Sequence, residues 1–391
     1  MPIIYSFLFF GTIFFSHWLI YRFCVRLFKV TKKLSLNTLR VVFIFLPLSF
    51  VIAMFVSHMW DNIVTRAFYF CSGVWYGVFI NLLIATCLYY FIIIIARLFK
   101  INFKNFILAN FLFVVAILVS IFGILNVLYP GVKEIEINIK DLPNEWKGKT
   151  IVQLSDVHLG KVLGVDYLNQ VIAKTNALNP DVVLITGDLF DGMDGSLERF
   201  VNPLSTLKAN EGVFYVNGNH EIYLGVDEAF SIIEKTNIKT LKDEVVDIKG
   251  LQFIGVSYPE RNSGNAIEKI ISENKIFDKN KPSILLFHSP TSIDQKNNFD
   301  HRELYFSPNV DFQTSINLGA DLQLSGHTHN GQLFPFNYLT HFVYAGYDYG
   351  LHKIGDFQIY IASGVGVWGP TMRTSGRSEI VKIILRSEEK R

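Results

Sequence analysis

Residues 130–391 contain no cysteine, because the three cysteines of the chain, Cys24, Cys71 and Cys87, all fall earlier. This part of the chain therefore forms no disulfide, offers no thiolate to a metal and has no cysteine nucleophile. The absence does not indicate a compartment, since a domain without cysteine suits either side of a membrane.

Acidic residues are almost absent from residues 1–129, where Asp61 is the single acid beside ten Lys/Arg. Residues 130–391 hold the other 26 Lys/Arg and 33 Asp/Glu, a formal charge of −7. The overall charge of +2 thus conceals a basic part and an acidic part. The acidic part has no stripe of Lys/Arg for a phosphate backbone, which argues against nucleic acid as a partner.

Four apolar stretches are long enough to cross a bilayer, which takes about 20 residues. They lie at roughly residues 3–21, 41–59, 74–96 and 106–128. The first has no basic start and no small-x-small cleavage site, so we interpret it as a retained helix and not a signal peptide. No ionisable residue interrupts the four apolar cores, apart from His17 and His58 near their ends, which disfavours a transporter. Residues 1–129 are therefore predicted to be a four-pass membrane anchor.

Basic residues are concentrated in two of the three short loops. The first loop carries six Lys/Arg and the third carries three, whereas the second has only Arg66 against Asp61. By the positive-inside rule, loops one and three face the cytoplasm. An even number of spans then predicts that residues 130–391 lie outside the cytoplasm, and one span fewer would invert this orientation.

Strand and helix patterns alternate in residues 130–391. Apolar runs predict strands at residues 133–139, 150–154, 181–185, 212–216, 250–254, 283–287, 321–325 and 357–361. Helical spacing predicts helices at residues 165–177, 196–208 and 226–235. This alternation indicates an α/β domain with a largely parallel early part. In such sheets, ligands collect at the carboxyl ends of the strands.

Five short clusters of Asp, Asn and His follow strand-like runs. They are Asp156-Val-His158, Gly187-Asp188-Leu-Phe-Asp191, Gly218-Asn219-His220-Glu221, the single His288, and Gly326-His327-Thr328-His329. Their oxygen and nitrogen ligands suit Zn, Mn, Fe or Mg. Each cluster alone is weak, because a Gly-Asp turn is often only a turn and a buried histidine is often a hydrogen-bonded core residue. Together they would supply enough ligands for two metals about 3.5–4 Å apart. Two such metals can clamp the oxygens of a phosphate ester.

The order of these clusters resembles the calcineurin-like metallophosphoesterase superfamily over roughly residues 149–385. The continuations His329-Asn-Gly-Gln332 and Trp368-Gly-Pro-Thr-Met-Arg373 resemble its membrane-associated bacterial phosphohydrolase branch. The resemblance implies a four-layer α-β-β-α sandwich for the catalytic domain, residues 130–391, after the four membrane helices. It also implies a bacterial plasma membrane as the location.

The resemblance further implies a binuclear centre of divalent Mn, Zn, Fe or Mg. In the implied centre, Asp156, His158 and His329 hold the first metal, Asp188 bridges, and Asn219, His288 and His327 hold the second. His220 would remain unligated and protonate the leaving oxygen, with Asp191 orienting it. A metal-activated water would attack phosphorus, without a covalent enzyme intermediate. Glu221 stands where the family often has Asp.

Arg373 and Tyr223 are predicted substrate contacts. A guanidinium binds phosphate in bidentate fashion, and Tyr223 could line the cleft, although an ion pair for Arg373 and simple packing for Tyr223 are equally good explanations. The predicted function is a membrane-anchored phosphohydrolase that cleaves a phosphoester or pyrophosphate, with a lipid-linked substrate favoured over a soluble nucleotide or phosphoprotein. A non-catalytic membrane receptor that keeps the metal-binding fold is the alternative. Membrane lipids and the substrate are the only partners predicted.

Overall fold

A computed structural model of the protein describes residues 2–102, 105–192, 196–260, 266–294 and 307–387, without the side chains of residues 2–9, 266, 268 and 269. The chain divides into two compact units. One, the helical unit, consists of Met1–Leu125 and Gly369–Thr374, and the other, the sheet unit, consists of Asn126–Trp368 and Ser375–Arg391.

Four long helices make up most of the helical unit. They are α1 (Pro2–Leu27), α2 (Lys33–Met59), α3 (Ile63–Leu98) and α4 (Asn105–Leu128). Three of them, α2, α3 and α4, are long and apolar enough to cross a membrane. The predicted first span, residues 3–21, falls within α1, but the side chains of residues 2–9 lie outside the described part. Three membrane-capable helices are thus established, and the fourth crossing stays a prediction.

Two buried polar side chains of the helical unit, His17 and Asn81, make hydrogen bonds to other helices. His17 is fully buried, its Nδ1 lies 2.9 Å from the Ile13 carbonyl oxygen, and its Nε2 accepts a hydrogen bond from Trp75 Nε1 at 3.2 Å. Asn81 of α3 donates to Ser120 Oγ of α4 at 2.9 Å. Such bonds satisfy groups that water cannot reach, and the second one joins two helices directly.

A short segment from late in the sequence packs among these helices. Gly369–Thr374 belongs to the helical unit, and Met372 within it is fully buried. A Cβ on Gly77 would lie 2.6 Å from Met372 Sδ, and one on Gly123 would lie 2.6 Å from Met372 Cγ. Arg373 N also donates to the Gly123 carbonyl oxygen at 3.0 Å. The two glycines therefore provide the space that Met372 fills.

Within the described residues, the sheet unit has twelve strands in two six-stranded sheets. In chain order they are β1 (Gly131–Ile139), β2 (Thr150–Leu154), β3 (Val182–Thr186), β4 (Gly212–Val216), β5 (Lys239–Thr240), β6 (Glu244–Ile248), β7 (Leu251–Gly255), β8 (Ser283–Leu286), β9 (Leu322–Ser325), β10 (Gly350–Ile354), β11 (Phe357–Ile361) and β12 (Glu379–Ser387). The first sheet has the order β1-β12-β2-β3-β4-β5, and the second has the order β10-β11-β9-β8-β7-β6.

The centre of each sheet is parallel. Strands β2, β3, β4 and β5 run parallel in the first sheet, and β7, β8, β9 and β11 do so in the second. Their carboxyl ends therefore point to the same edge within each sheet. In parallel sheets this edge is where ligands bind, and all five of the clusters picked out in the sequence begin there.

Seven helices complete the sheet unit. They are α5 (Val165–Ala177), α6 (Val201–Leu204), α7 (Asn219–Leu224), α8 (Val226–Ile233), α9 (Ala266–Glu273), α10 (Gln313–Leu318) and α11 (Phe336–Val343) among the described residues. Side chains alternate across the central strands: Val183 of β3 packs with α5 and α8, whereas Leu184 packs with Leu286 and Leu324 of the second sheet. A third apolar cluster includes Ile270 of α9 and residues of α10 on the second sheet. The predicted α/β fold, with two sheets, is confirmed.

Several sequence predictions differ from the structure at their edges. The predicted helix over residues 196–208 is only a 3-10 turn, Glu198–Phe200, followed by the short α6, because Pro203 has no N–H to donate to the carbonyl oxygen four positions earlier. β12, for which no strand was predicted, runs to Ser387, which pairs with Ile139 of β1.

Candidate metal centre

Five residues of the candidate centre follow strands in left-handed backbone conformation. Positive φ angles occur at Asp156 (52°), His158 (51°), Asp188 (51°), His327 (73°) and His329 (51°). This region is uncommon for residues other than glycine, although Asp and His tolerate it better than most. Such strain persists only where the surroundings impose it, and it is concentrated at functional sites.

Asp156, His158 and His329 form one group whose ligand atoms all lie within 4.8 Å of one another. His329 Nε2 lies 3.3 Å from Asp156 Oδ1 and 3.0 Å from His158 Nε2. The two Nε2 atoms therefore face each other with a carboxylate oxygen beside them. Asp156 is held in place by the backbone N–H of His327, which donates to its Oδ1 at 3.0 Å.

Asp188, His288 and His327 form a second group, also within 4.8 Å. His288 Nε2 lies 3.1 Å from Asp188 Oδ2. His288 Nδ1 donates to the Thr186 carbonyl oxygen at 2.8 Å, which turns Nε2 toward the carboxylate. Asn219 joins this group, because its Oδ1 lies 2.8 Å from His327 Nδ1.

Asp188 lies between the two groups. Its Oδ2 is 3.1 Å from His288 Nε2 in one group and 3.9 Å from His158 Nε2 in the other. Its Oδ1 accepts the backbone N–H of His220 at 2.9 Å. The carboxylate thus has the position that a bridging ligand requires.

Charge in the centre is finely balanced. Burial raises the pKa of Asp156 to about 6. Burial also opposes ionisation of Asp188, but positive charge on His288 and His220 outweighs it and holds the Asp188 pKa well below its usual range. Burial opposes the charge on His288 as well, and Asp188 reverses this, so that the His288 pKa rises to about 9. Buried carboxylates therefore need positive charge close by.

The pKa of His327 is shifted in the opposite direction from that of His288. Burial and the neighbouring His288 lower the pKa of His327 to about 3, which keeps its imidazole neutral. A neutral imidazole has a lone pair to offer to a cation. This is the protonation state that a metal ligand needs.

Glu221 is a buried carboxylate whose role the sequence did not reveal. Its Oε2 accepts the N–H groups of Gly218 (2.6 Å) and Asp188 (3.0 Å), and its Oε1 accepts that of Phe190 (3.0 Å). Burial and the charge of Asp188 raise its pKa to about 7. The side chain therefore ties the loop after β3 to the loop after β4. The one sign of this role in the sequence was the position of Glu221 at the end of the Gly-Asn-His-Glu cluster.

His220 lies beside the two groups at the start of α7. Its Nδ1 donates to the carbonyl oxygen of Asp191 at 2.7 Å, which leaves Nε2 for a substrate. This hydrogen bond joins His220 to the main chain of Asp191, the residue predicted to orient it. The Asp191 carboxylate lies beside both His158 and His220: its Oδ1 is 3.8 Å from His158 Nδ1, and the three side chains have ligand atoms within 4.8 Å of one another.

Two glycines allow the loops to approach each other. A Cβ on Gly218 would overlap with Asp188 Oδ1, and a Cβ on Gly326 would overlap with Ser155 Oγ and Asp156 Oδ2. Any larger residue would push a carboxylate out of place.

Aromatic rings surround His220. Tyr223 is half exposed, with its ring centroid 5.3 Å from that of His220, and the ring of Trp368 lies 5.8 Å away. The position of Tyr223 suits a cleft wall. Arg373, the other predicted substrate contact, is fully buried within the helical unit. Its contact with substrate stays a prediction.

The residues present fit divalent cations. The two groups offer imidazole nitrogens, carboxylate oxygens and an amide oxygen, which are the ligands of Zn, Mn, Fe and Mg. The Nε2 atoms of His158 and His329 face each other at 3.0 Å, and burial raises the pKa of Asp156 to about 6. A cation that accepts the lone pairs of these groups would stabilise both arrangements.

Comparisons with known proteins agree with this geometry. Residues 149–331 match the family described as calcineurin-like phosphoesterase. An uncharacterized metallophosphoesterase of Helicobacter pylori is 36% identical over 258 residues, which are 66% of this chain and 64% of that protein. One of Campylobacter jejuni is 34% identical over 263 residues, again 66% of this chain and 64% of that protein.

A relative from an animal extends the comparison. The transmembrane protein with metallophosphoesterase domain of Danio rerio is 31% identical over 303 residues, covering 73% of this chain and 63% of that protein. The chain thus spans somewhat under two thirds of the length of these relatives. Residues 149–331 of this chain are thus a calcineurin-like phosphoesterase domain.

Proposed function

We propose that this protein is a membrane-anchored phosphohydrolase with a binuclear metal centre. The observation that carries the proposal is the place of Asp188, between one group of ligands with His158 and another with His288. The first metal would be held by Asp156, His158 and His329, and the second by Asn219, His288 and His327, with Asp188 shared. The four-layer α-β-β-α order belongs to the proposal, supported by the three apolar clusters of the sheet unit.

Two divalent cations bound there would supply Lewis-acid charge to the phosphate oxygens and lower the pKa of a bound water. The remaining work falls to side chains. His220 donates a proton from Nε2 to the leaving oxygen, while Nδ1 stays bonded to the Asp191 carbonyl oxygen. Glu221 holds together the loops that carry Asp188 and Gly218, because it accepts the backbone N–H groups of both residues.

The proposed substrate is a phosphoester or pyrophosphate, with a lipid-linked one favoured. Three membrane-capable helices and relatives named as transmembrane proteins support a site that works at a membrane. We place four spans in a bacterial plasma membrane and the sheet unit outside the cytoplasm, on the basis of the loop charges. Tyr223 and Arg373 remain the proposed substrate contacts.

Hydrolysis of a chromogenic phosphodiester by the full chain, with added Mn or Zn, tests the proposal. His220→Ala should leave metal content unchanged and lower turnover by about a hundredfold or more. Glu228→Gln, an exposed substitution on α8, is the control and should keep the turnover. No turnover on mono-, di- and pyrophosphate esters with both metals bound would refute the enzyme and favour the non-catalytic receptor.

A further inference from the structure

A cavity of about 730 Å³ lies among α1, α2 and the loop that joins them. Its size is within the range of sites that hold small molecules, roughly 300–1,000 Å³. Three guanidinium groups line it, those of Arg22, Arg26 and Arg40. No role in the phosphohydrolase reaction involves these residues.

The cavity has no acidic counterpart among its described lining residues. Asp61, the single acid of residues 1–129, is bound to Arg66 with an N–O distance of 2.7 Å. Like charges that share a cavity repel one another, and an anion among them relieves the repulsion. The charge of this cavity is therefore complementary to an anion.

Two of the arginines are oriented by neighbours. Arg40 Nε donates to Tyr21 Oη at 3.3 Å, and Arg22 Cζ lies 5.3 Å from the ring centroid of Trp18. A guanidinium has five N–H donors in a planar fork, so these contacts leave donors for an oxyanion. Phosphate is the oxyanion that matches such a fork.

The rest of the cavity wall is apolar. Phe14, Val25, Phe43 and Ile44 line it together with the arginines. A free phosphate ion would contact only the basic part, whereas an amphiphile would contact both. We propose that this cavity binds the phosphate headgroup of an anionic phospholipid, with an acyl chain along the apolar wall. Basic pockets between membrane helices are suited to such headgroups.

A neighbouring cavity extends the basic surface. It has a volume of about 780 Å³, shares Arg26 with the first, and adds Lys29 and Arg97. Its described lining residues likewise include no acid. Tyr89 and Phe106 line this cavity too, so the same combination of cations and apolar rings recurs.

Native mass spectrometry of the full, delipidated chain in detergent tests the site. Phosphatidylglycerol should bind at least about tenfold more tightly than phosphatidylcholine with the same acyl chains. The double variant Arg22→Gln/Arg40→Gln should reduce this preference to about threefold or less. Both side chains are exposed, and each single substitution should lower the preference in part.

Lys32→Gln/Lys33→Gln is the matched control, because it removes two exposed charges where α1 connects to α2 that do not line the cavity. It should preserve the preference. An equal loss in both double variants would overturn the proposal in favour of diffuse surface charge. Absence of any preference in the unaltered chain would also overturn it. Displacement of the lipid by inorganic phosphate at about 10 mM would overturn the proposal too, because binding at the site would then not depend on the acyl chain.

Discussion

At the scale of single residues, the centre depends on one carboxylate that holds no place among the proposed ligands. Glu221 accepts hydrogen bonds from backbone N–H groups of the loop after β3, which carries Asp188, and of the loop after β4. Because partners behind a metal ligand fix its orientation, their loss weakens metal binding even when every ligand remains.

Glu221→Gln should therefore lower metal affinity by about ten- to a hundredfold. The amide would present an N–H₂ group to N–H donors, so at least one of the three backbone hydrogen bonds is lost. Metal titration of the full chain measures the change. Glu228→Gln, an exposed substitution on α8, is the control. Unchanged metal affinity in Glu221→Gln would show that the two loops keep their relative positions without this side chain.

The ligand types could be read from the sequence, whereas the contacts behind them could not. Asp188 follows a buried strand in a Gly-Asp turn, so its position at the strand end was predictable. The role of Glu221 depends on the loops after β3 and β4 meeting in space, and single-sequence patterns do not report such contacts. The sequence predicted that Asp191 orients His220, but not that the main-chain carbonyl oxygen of Asp191 accepts the hydrogen bond.

At the scale of elements, the segment Gly369–Thr374 depends on glycines of α3 and α4. Gly77→Val should destabilise the helical unit by about 1–3 kcal/mol, because the added atoms overlap with Met372. Met372→Ala in the same chain should recover part of that loss, since it removes the overlapping atoms. Thermal unfolding in detergent measures all three variants.

Gly11→Val is the control for this pair, because a Cβ there meets nothing within 4 Å. Its effect should be limited to the small difference in helix propensity. If Gly77→Val and Gly11→Val cost the same, and Met372→Ala recovers nothing, Met372 does not fill the space beside Gly77.

The starts of the parallel strands are joined by another side chain, Asp181. Its Oδ2 accepts the N–H of Thr150 at 2.9 Å and its Oδ1 accepts Lys149 Nζ at 2.9 Å. Burial opposes its ionisation, but these hydrogen bonds prevail and lower its pKa. A lowered carboxyl pKa stabilises the folded state above the unfolded pKa of about 3.9, and this contribution is lost as pH falls through the folded pKa.

Asp181→Asn should accordingly reduce the free energy of unfolding by about 1 kcal/mol at neutral pH. The difference from the unaltered chain should shrink as pH falls below about 4. Unfolding measured across pH in both proteins checks this. A difference that stays constant with pH would mean that the charge of Asp181 has no part in the effect.

Strands with short runs rich in apolar residues were predictable, and strands without them were not. Thr150–Leu154 and Phe357–Ile361 match their predictions because every residue except Thr150 is buried. β12 was missed although it lies between β1 and β2, because it comes last in the chain and carries Lys382 and Arg386 on its open face. Pairing between distant segments is set by topology and not by local pattern.

At the scale of the whole molecule, the loop charges predict which side of the membrane each part faces. Single cysteines can be placed in a chain whose three native cysteines are replaced. Ser205→Cys, exposed on the sheet unit, should react in intact cells with a maleimide that cannot cross membranes. Thr31→Cys, exposed in the first loop, should react only after the cells are opened. The reverse pattern would invert the orientation.

The central claim is that two metals share Asp188, and counting the metals tests it most directly. The full chain loaded with Mn or Zn should hold two ions and hydrolyse a chromogenic phosphodiester. Asp188→Asn should hold fewer than two ions under the same conditions and lose turnover by about a hundredfold or more. Two ions and full turnover in Asp188→Asn, or a single ion in a fully active unaltered chain, would contradict the account.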